Sequence, residues 1–184
     1  MPTRRVVMVV DMQNGVFATP RLNREACAAR INALTQAADA VIFIQHADEE
    51  ALPEGSEAFA LLAELNQPEG AFYVTKSACD AFYNTSLDAL LREQNIDEFV
   101  ICGCATDYCV DATLKNGVSR GYRITIAEDA HTTADRPAAP ADVLIRHYND
   151  VWRSFIAPAN PPQVLPTQTI LAAWRTNSSF PVLS

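Results

Sequence analysis

Cys109 occupies a position at which a polypeptide can turn a thiol into a nucleophile. The apolar run from Phe99 to Cys102 has the length of a buried strand, and Gly103 then breaks it. Thr106 is a candidate N-cap, so Cys109 falls in the first turn of the next helix. There, unpaired backbone N–H groups and the helix dipole favour thiolate over thiol. The alternative is an ordinary buried cysteine, since free cysteines are among the most buried residue types.

Two charged residues follow other apolar runs in the same way. Asp11 comes directly after Val6–Val10, and Lys76 ends the run that begins at Ala71. Each has a plain alternative, because an aspartate at a strand end is often a loop or cap residue and a lone lysine is usually a solvated surface charge. If the runs form a parallel sheet, however, Asp11, Lys76 and Cys109 all fall at one edge. Their common position favours a shared functional site over three unrelated structural roles.

The rest of the chain alternates short apolar runs with longer helical segments. Thr85-Ser86-Leu87-Asp88 has the pattern of a capping box, and Pro140 suits the first turn of a helix. The predicted strands are residues 6–10, 41–44, 71–75, 99–102, 122–127 and 164–165, and the predicted helices are residues 23–38, about 56–65, 85–94, the segment after Thr106, 140–152 and 167–174.

This alternation predicts an α/β fold, a three-layer α/β/α sandwich with a central parallel, Rossmann-like sheet of about six strands. Such sheets bind ligands beyond the carboxyl ends of their strands. A chain of 184 residues with 49% apolar residues is long enough for one compact core, so residues 1–184 are predicted to form a single domain.

Composition excludes several other classes. The formal charge of -8 argues against a nucleic-acid surface, and the apolar run before Asp11 is too short for a signal peptide or a membrane span. Five cysteines without paired spacing favour reduced thiols and a cytoplasmic location. No Gly-x-Gly-x-x-Gly follows the first strand, and Cys102, Cys104 and Cys109 lack metal-cluster spacing, so we expect no bound cofactor.

Three blocks of the sequence resemble the signatures of the isochorismatase-like cysteine hydrolase family, which includes N-carbamoylsarcosine amidase and nicotinamidases. They are Val-Val-Asp-Met-Gln-Asn-Gly-Val-Phe at 9–17, Thr-Lys-Ser-Ala-Cys-Asp-Ala-Phe at 75–82 and Gly-Cys-Ala-Thr-Asp-Tyr-Cys-Val at 103–110. The last block is the most specific. The likeness extends from about residue 6 to residue 171.

The resemblance implies a role for each matching residue. Cys109 would be the nucleophile that forms a thioester, Asp11 the general base, and Lys76 the charge partner that lowers the pKa of the thiol. It also implies a cis peptide between Cys104 and Ala105. This bond would aim the N–H groups of Ala105 and Cys109 at one point as an oxyanion hole.

Further residues in these blocks are candidates for lining a substrate pocket, although simple packing is an equal alternative for each. They are Gln13, Phe17, His46 and Tyr108. Nicotinamidases carry an Asp-x-His and a further histidine that bind a metal after the second strand. Here Gln45-His46 supplies a single histidine, so we expect no metal and do not expect nicotinamide as the substrate.

The presence of Cys109 favours hydrolysis of a carbon–nitrogen bond, in an amide or a carbamoyl group, of a small molecule. Hydrolysis of an enol ether, as for isochorismate, is one alternative. A redox-sensing or scaffold protein that keeps the fold without turnover is another, because a reactive thiol is also a target for peroxide. Members of the family are usually homo-oligomers, and the apolar tail at 179–183 is a candidate subunit contact.

Overall fold

The computed structural model describes residues 3–177 and Phe180. This part of the chain contains six strands and five α-helices. The strands are β1 Val6–Val10, β2 Ala40–His46, β3 Phe72–Lys76, β4 Glu98–Cys104, β5 Arg123–Thr132 and β6 Gln163–Leu165, and the helices are α1 Arg24–Ala37, α2 Leu87–Glu93, α3 Asp111–Ser119, α4 Ala141–Arg153 and α5 Thr167–Arg175. A helix follows every strand except β1, where a 3₁₀ turn comes first, and β2, which leads by an irregular segment to β3. A single π-helical turn, Thr106–Val110, joins β4 to α3, and a 3₁₀ turn lies at Val16–Ala18.

All strand pairs are parallel, in the order β3-β2-β1-β4-β5-β6. The order reverses between β1 and β4, and the carboxyl ends of these two strands therefore flank the crevice in which such sheets bind ligands. The predicted fold class is confirmed.

Helices cover both faces of the sheet, which explains why the central strands β1, β2 and β4 read as largely apolar runs. Side chains alternate along β1: Val6, Met8 and Val10 enter the core beneath α2, α3 and α4, whereas Val7 and Val9 enter the core beneath α1 and α5. The strand has no solvent-facing side, so every residue of Val6–Val10 is buried.

Gly103 lies inside β4 rather than ending it, and it brings β4 against β1. Its φ is +117°, and a Cβ on Gly103 would lie 2.2 Å from the carbonyl oxygen of Val10. The register between β4 and β5 also shifts between Ile101 and Gly103. Only a glycine allows this approach, which places the ends of β1 and β4 side by side.

The predicted helix at about 56–65 is wrong, since this segment is irregular and pairs with the loop after β1. Leu62 N donates to Met12 O at 2.9 Å, and Asn14 N donates to Ala60 O at 2.9 Å. The Phe59 carbonyl accepts from two buried glutamine amides. These tertiary bonds take up backbone groups that a helix would use for itself, and they override a favourable helical propensity.

Three smaller expectations also differ from the structure. The capping box is only half formed: Leu87 N donates to Thr85 Oγ1 at 3.2 Å, whereas the Asp88 carboxylate accepts from the Tyr122 hydroxyl at 2.7 Å. Thr106 does not cap its helix, since its hydroxyl contacts His131. The fifth strand continues beyond Ala127 to Thr132. Apart from Phe180, the tail at 179–183 lies outside the described residues.

Gly103→Ala should destabilise the fold strongly, because the new methyl group would overlap the backbone of Val10. We expect a loss of more than about 3 kcal/mol in the free energy of unfolding, measured by urea denaturation. Gly121→Ala is the matched control: Gly121 has a φ of +97° but nothing within 4 Å of its Cβ position. It should cost only about 1–2 kcal/mol, from backbone strain alone. Equal losses in the two variants would contradict the close approach of β1 and β4.

Candidate active site

The three residues at the sheet edge come together around the ammonium of Lys76. Its Nζ lies 2.9 Å from Asp11 Oδ2 and 3.3 Å from Cys109 Sγ. The side chains of Lys76 and Asp11 are almost fully buried, with 0% and 3% exposure. The fold explains the meeting: Asp11 follows β1, Lys76 ends β3 two strands away, and Cys109 follows β4.

Lys76 has more acceptors than protons. Besides Asp11 and Cys109, its Nζ lies 3.0 Å from His46 Nδ1 and 2.9 Å from the carbonyl oxygen of Ala78. An ammonium has three N–H donors and no acceptor, so four partners share three protons. His46 Nδ1 must accept, which leaves the ring proton of the neutral imidazole on Nε2. Burial and the Lys76 charge lower the pKa of His46 and favour this neutral form.

The pKa of the Cys109 thiol is raised, contrary to the expectation that the helix start would favour thiolate. Burial raises the pKa of the Cys109 thiol well above its ordinary value, and the charge of the Asp11 carboxylate raises it further. The Lys76 charge lowers this pKa but does not outweigh the other two effects. Cys109 and Asp11 thus both lie against the same cation, the ammonium of Lys76.

The turn that carries Cys109 is held by a buried polar chain. Thr106 Oγ1 lies 2.7 Å from His131 Nδ1, and His131 Nε2 lies 2.9 Å from Asn149 Oδ1. Because the Asn149 amide nitrogen donates to the Glu128 carbonyl, its oxygen accepts from Nε2–H, and Nδ1 accepts from the hydroxyl. Burial lowers the pKa of His131 to about 4, so the chain stays neutral near pH 7.

A second anchor holds the same turn through Asp107. Its carboxylate accepts from the Thr133 hydroxyl at 2.6 Å and from Arg136 Nε at 2.9 Å. Although burial raises the pKa of Asp107, Arg136 and Thr133 bring it below its usual range. Sequence reasoning missed these anchors, since His131, Thr133 and Arg136 are more than twenty residues from the turn and no local pattern links them to it.

The peptide bond between Cys104 and Ala105 is cis, and it lies between the end of β4 and the turn. Both residues are buried. The carbonyl of Ala105 accepts from the N–H groups of Tyr108 and Val110, each at 3.1 Å. The backbone of Ala105 is therefore fixed against the turn that carries Cys109.

The four candidate pocket residues differ in what they can offer a substrate. Gln13 is fully buried, and its amide nitrogen donates to the carbonyls of His46 and Phe59 while its oxygen accepts from His46 N. Both amide protons are thus taken by the backbone, and Gln13 supports His46 instead. Phe17 packs in the core beneath α1. Tyr108 is 51% exposed, with the Arg136 guanidinium 4.6 Å above its ring, and so it is accessible to a ligand.

Among residues 3–177 and 180, no three histidine, cysteine, aspartate or glutamate side chains are grouped so as to hold a metal ion. None of the helices in these residues has the length and apolar character needed to cross a membrane.

Similar proteins with assigned activities include a streptothricin hydrolase and a ureidoacrylate amidohydrolase. Streptothricin hydrolase of Streptomyces noursei is 30% identical over 145 residues, which are 74% of this chain and 52% of that protein. Ureidoacrylate amidohydrolase of Methylorubrum extorquens is 36% identical over 93 residues, 50% of this chain and 38% of that protein. The chain thus matches about half the length of the first relative and less of the second.

The fold matches solved structures over nearly its full length. An isochorismatase-type protein from Burkholderia xenovorans superposes with a TM-score of 0.84 at 23% identity, covering 98% of this chain and 92% of that one. The sequence profile of the isochorismatase domain matches residues 5–150. The resemblance that the three sequence blocks carry is confirmed, and the chain belongs to the isochorismatase family of hydrolases.

Proposed function

We propose that this protein is a cysteine hydrolase that cleaves a carbon–nitrogen bond, in an amide or a carbamoyl group, of a small molecule. One observation carries the proposal: a single buried ammonium, that of Lys76, contacts both Asp11 and Cys109. A structural role would require only one of these contacts. A lysine that touches a carboxylate and a thiol together is arranged to stabilise negative charge on either of them.

In the first half of the proposed reaction, Asp11 takes the proton of the Cys109 thiol as the sulfur attacks the carbonyl carbon. The carbonyl oxygen gains the negative charge, and the N–H groups of Ala105 and Cys109 are the proposed donors that bind it. As the tetrahedral intermediate collapses, Asp11 passes the proton to the nitrogen, and the carbon–nitrogen bond breaks. The products are ammonia or an amine and a thioester on Cys109.

In the second half, water replaces the amine. Asp11 removes a proton from the water, the hydroxide attacks the thioester carbon, and the carbon–sulfur bond breaks. The sulfur recovers a proton from Asp11, which restores the thiol and the carboxylate. Each proton that Asp11 accepts is returned, so the cycle consumes only substrate and water.

Similarity to ureidoacrylate amidohydrolase supports this bond type, and similarity to streptothricin hydrolase supports hydrolysis in general. Tyr108 and Phe17 remain proposed pocket residues, and we propose His46 as a residue that positions Lys76. The five cysteines are free thiols, which suits the cytoplasmic location that we propose. Assembly as a homo-oligomer is part of the proposal as well.

Cys109→Ala should abolish turnover, because the thioester cannot form without the sulfur. On a panel of primary amides, ureides and N-carbamoyl amino acids, ammonia release should fall by at least about a thousandfold on every compound that the wild type hydrolyses. Cys79→Ala is the matched control: Cys79 is an exposed free thiol, and its loss should leave the rates unchanged. If Cys109→Ala kept its activity, Cys109 could not be the nucleophile.

Asp11→Asn should make Cys109 more acidic, since it deletes a charge that raises the pKa of the thiol while the Lys76 charge remains. The pH midpoint for alkylation by iodoacetamide, followed on the Cys109 peptide by mass spectrometry, should fall by roughly 1–3 units. Lys76→Met should move it upward. Asp48→Asn, which alters an exposed carboxylate on the loop after β2, is expected to leave the midpoint in place. An unchanged midpoint in Asp11→Asn would show that Asp11 does not face the thiol.

His46→Leu and His46→Asn form a matched pair, because leucine and asparagine have the same branched shape and only asparagine has an acceptor. In His46→Leu the Lys76 proton shared with Nδ1 is released to the Cys109 sulfur, so the alkylation midpoint should fall by about 0.4–1 unit. In His46→Asn the side-chain oxygen replaces Nδ1, and the midpoint should stay near that of the wild type. Equal shifts in the two variants would mean that His46 acts by bulk alone.

A further inference from the structure

Arg21 contains a buried group without a partner in the described part of the chain. Its Nε donates to the carbonyl of Val16 at 3.0 Å, but its Nη1 is buried and has no hydrogen-bond partner. Arg21 also forms no ion pair with any carboxylate of residues 3–177 and 180, whereas Arg24, three residues on, pairs with Glu64. A buried N–H without an acceptor is unfavourable by about 1–3 kcal/mol, and more for a charged group. Such a group in a native structure calls for an explanation.

The loop that carries Arg21 is bonded to the strand end beside the active-site turn. Leu22 N donates to Thr133 O at 3.0 Å, and the Thr132 hydroxyl donates to the carbonyl of Leu22. Thr132 is the register partner of Cys104, which precedes Ala105 in the cis peptide. The neighbouring Thr133 hydroxyl donates to Asp107 of the turn. The backbone of Arg21 is thereby fixed over the carboxyl end of β4.

The electrostatics of Cys104 agree with this placement. Burial raises the pKa of the Cys104 thiol, and among the nearby charges the Arg21 guanidinium acts most strongly, lowering that pKa. The Asp11 and Asp107 carboxylates raise it. The charge of Arg21 therefore lies close enough to act on Cys104, the first residue of the cis peptide.

We propose that Arg21 binds a carboxylate of the substrate, so that the substrates are small carboxylic acids with an amide or carbamoyl group. A guanidinium is suited to this task, since its planar N–H groups match the two oxygens of a carboxylate. The bound anion would supply the missing partner of Nη1. The substrate class rests on the proposed hydrolysis at Cys109, whereas anion binding by Arg21 does not.

Anion binding can be tested without a substrate, by comparing two alkylating agents that differ in charge. Iodoacetate carries a carboxylate and iodoacetamide is its neutral counterpart. The ratio of their rates at Cys109, divided by the same ratio at the exposed Cys79, should fall on the order of tenfold in Arg21→Met. Arg24→Met, which removes an equal charge from the same region of the chain, should leave the ratio unchanged. An unchanged ratio in Arg21→Met would overturn the proposal.

The kind of anion is tested by competition. Acetate should slow the reaction of wild-type Cys109 with iodoacetate more than the reaction with iodoacetamide. Chloride at the same ionic strength should slow both equally little. If chloride competes as well as acetate, Arg21 binds inorganic anions, and the carboxylate assignment is overturned.

Thermal unfolding separates a binding role from a structural one. If Arg21 is kept for a ligand, Arg21→Met should unfold at about the same temperature as the wild type, because removal of the buried N–H without a partner offsets loss of the bond from Nε to Val16 O. Arg136→Met should unfold at a lower temperature, since it breaks the ion pair with Asp107. A decrease in Arg21→Met as large as that in Arg136→Met would assign Arg21 to the fold.

Two compounds that differ only in the carboxylate distinguish failure of the subsite from failure of the proposed function. N-carbamoylglycine has the carboxylate, and ethylurea has a methyl group in its place. Equal kcat/KM on both would overturn the carboxylate subsite and leave the hydrolase proposal intact. If neither compound is hydrolysed but the alkylation ratio falls in Arg21→Met, the subsite stands and the proposed hydrolysis of carbamoyl groups fails.

Discussion

The active site depends on the burial of one ammonium. Moving a charge out of water costs several kcal/mol, and a lysine as buried as Lys76 is stable only with a close counter-charge and acceptors for its protons. Asp11 supplies the charge, and His46, Ala78 and Cys109 supply further acceptors. These groups come from three strand ends and one turn. The requirements of a single cation therefore determine how the ends of β1, β2 and β3 and the turn after β4 must meet.

That meeting also depends on the pairing of β1 with β4 at Gly103. Gly103 has no side chain, and the backbone of Val10 occupies the space where a Cβ would lie. The residue after Val10 is Asp11, and the turn after β4 carries Cys109. A wider spacing at Gly103 would separate the base from the nucleophile, so a backbone constraint within the sheet controls a distance within the site. The polar chains through His131 and Arg136 then fix the far side of the turn.

Burial explains which features the sequence predicted and which it did not. Strands covered on both faces appear as apolar runs, and the residues that end them lie at the ligand-binding edge, so the fold class and the Asp11, Lys76 and Cys109 cluster could be located from the sequence alone. The segment at 56–65 has helical propensity, but glutamine amides distant in sequence hold its backbone. The raised pKa of the Cys109 thiol was missed for a similar reason, since desolvation depends on packing. A buried nitrogen without a hydrogen-bond partner, such as Arg21 Nη1, cannot be predicted from the sequence, because its surroundings depend on the tertiary structure.

In the proposed reaction the arrangement keeps the charge of the buried site constant. Before proton transfer the negative charge is on Asp11, and afterwards it is on the Cys109 sulfur. Lys76 Nζ lies 2.9 Å from Asp11 Oδ2 and 3.3 Å from Cys109 Sγ. The cation need not move as the anion changes place, so little reorganisation accompanies attack. The same reasoning applies to Arg21. Its Nη1 has no acceptor among the described residues, and in the proposal a substrate carboxylate supplies that acceptor when it binds.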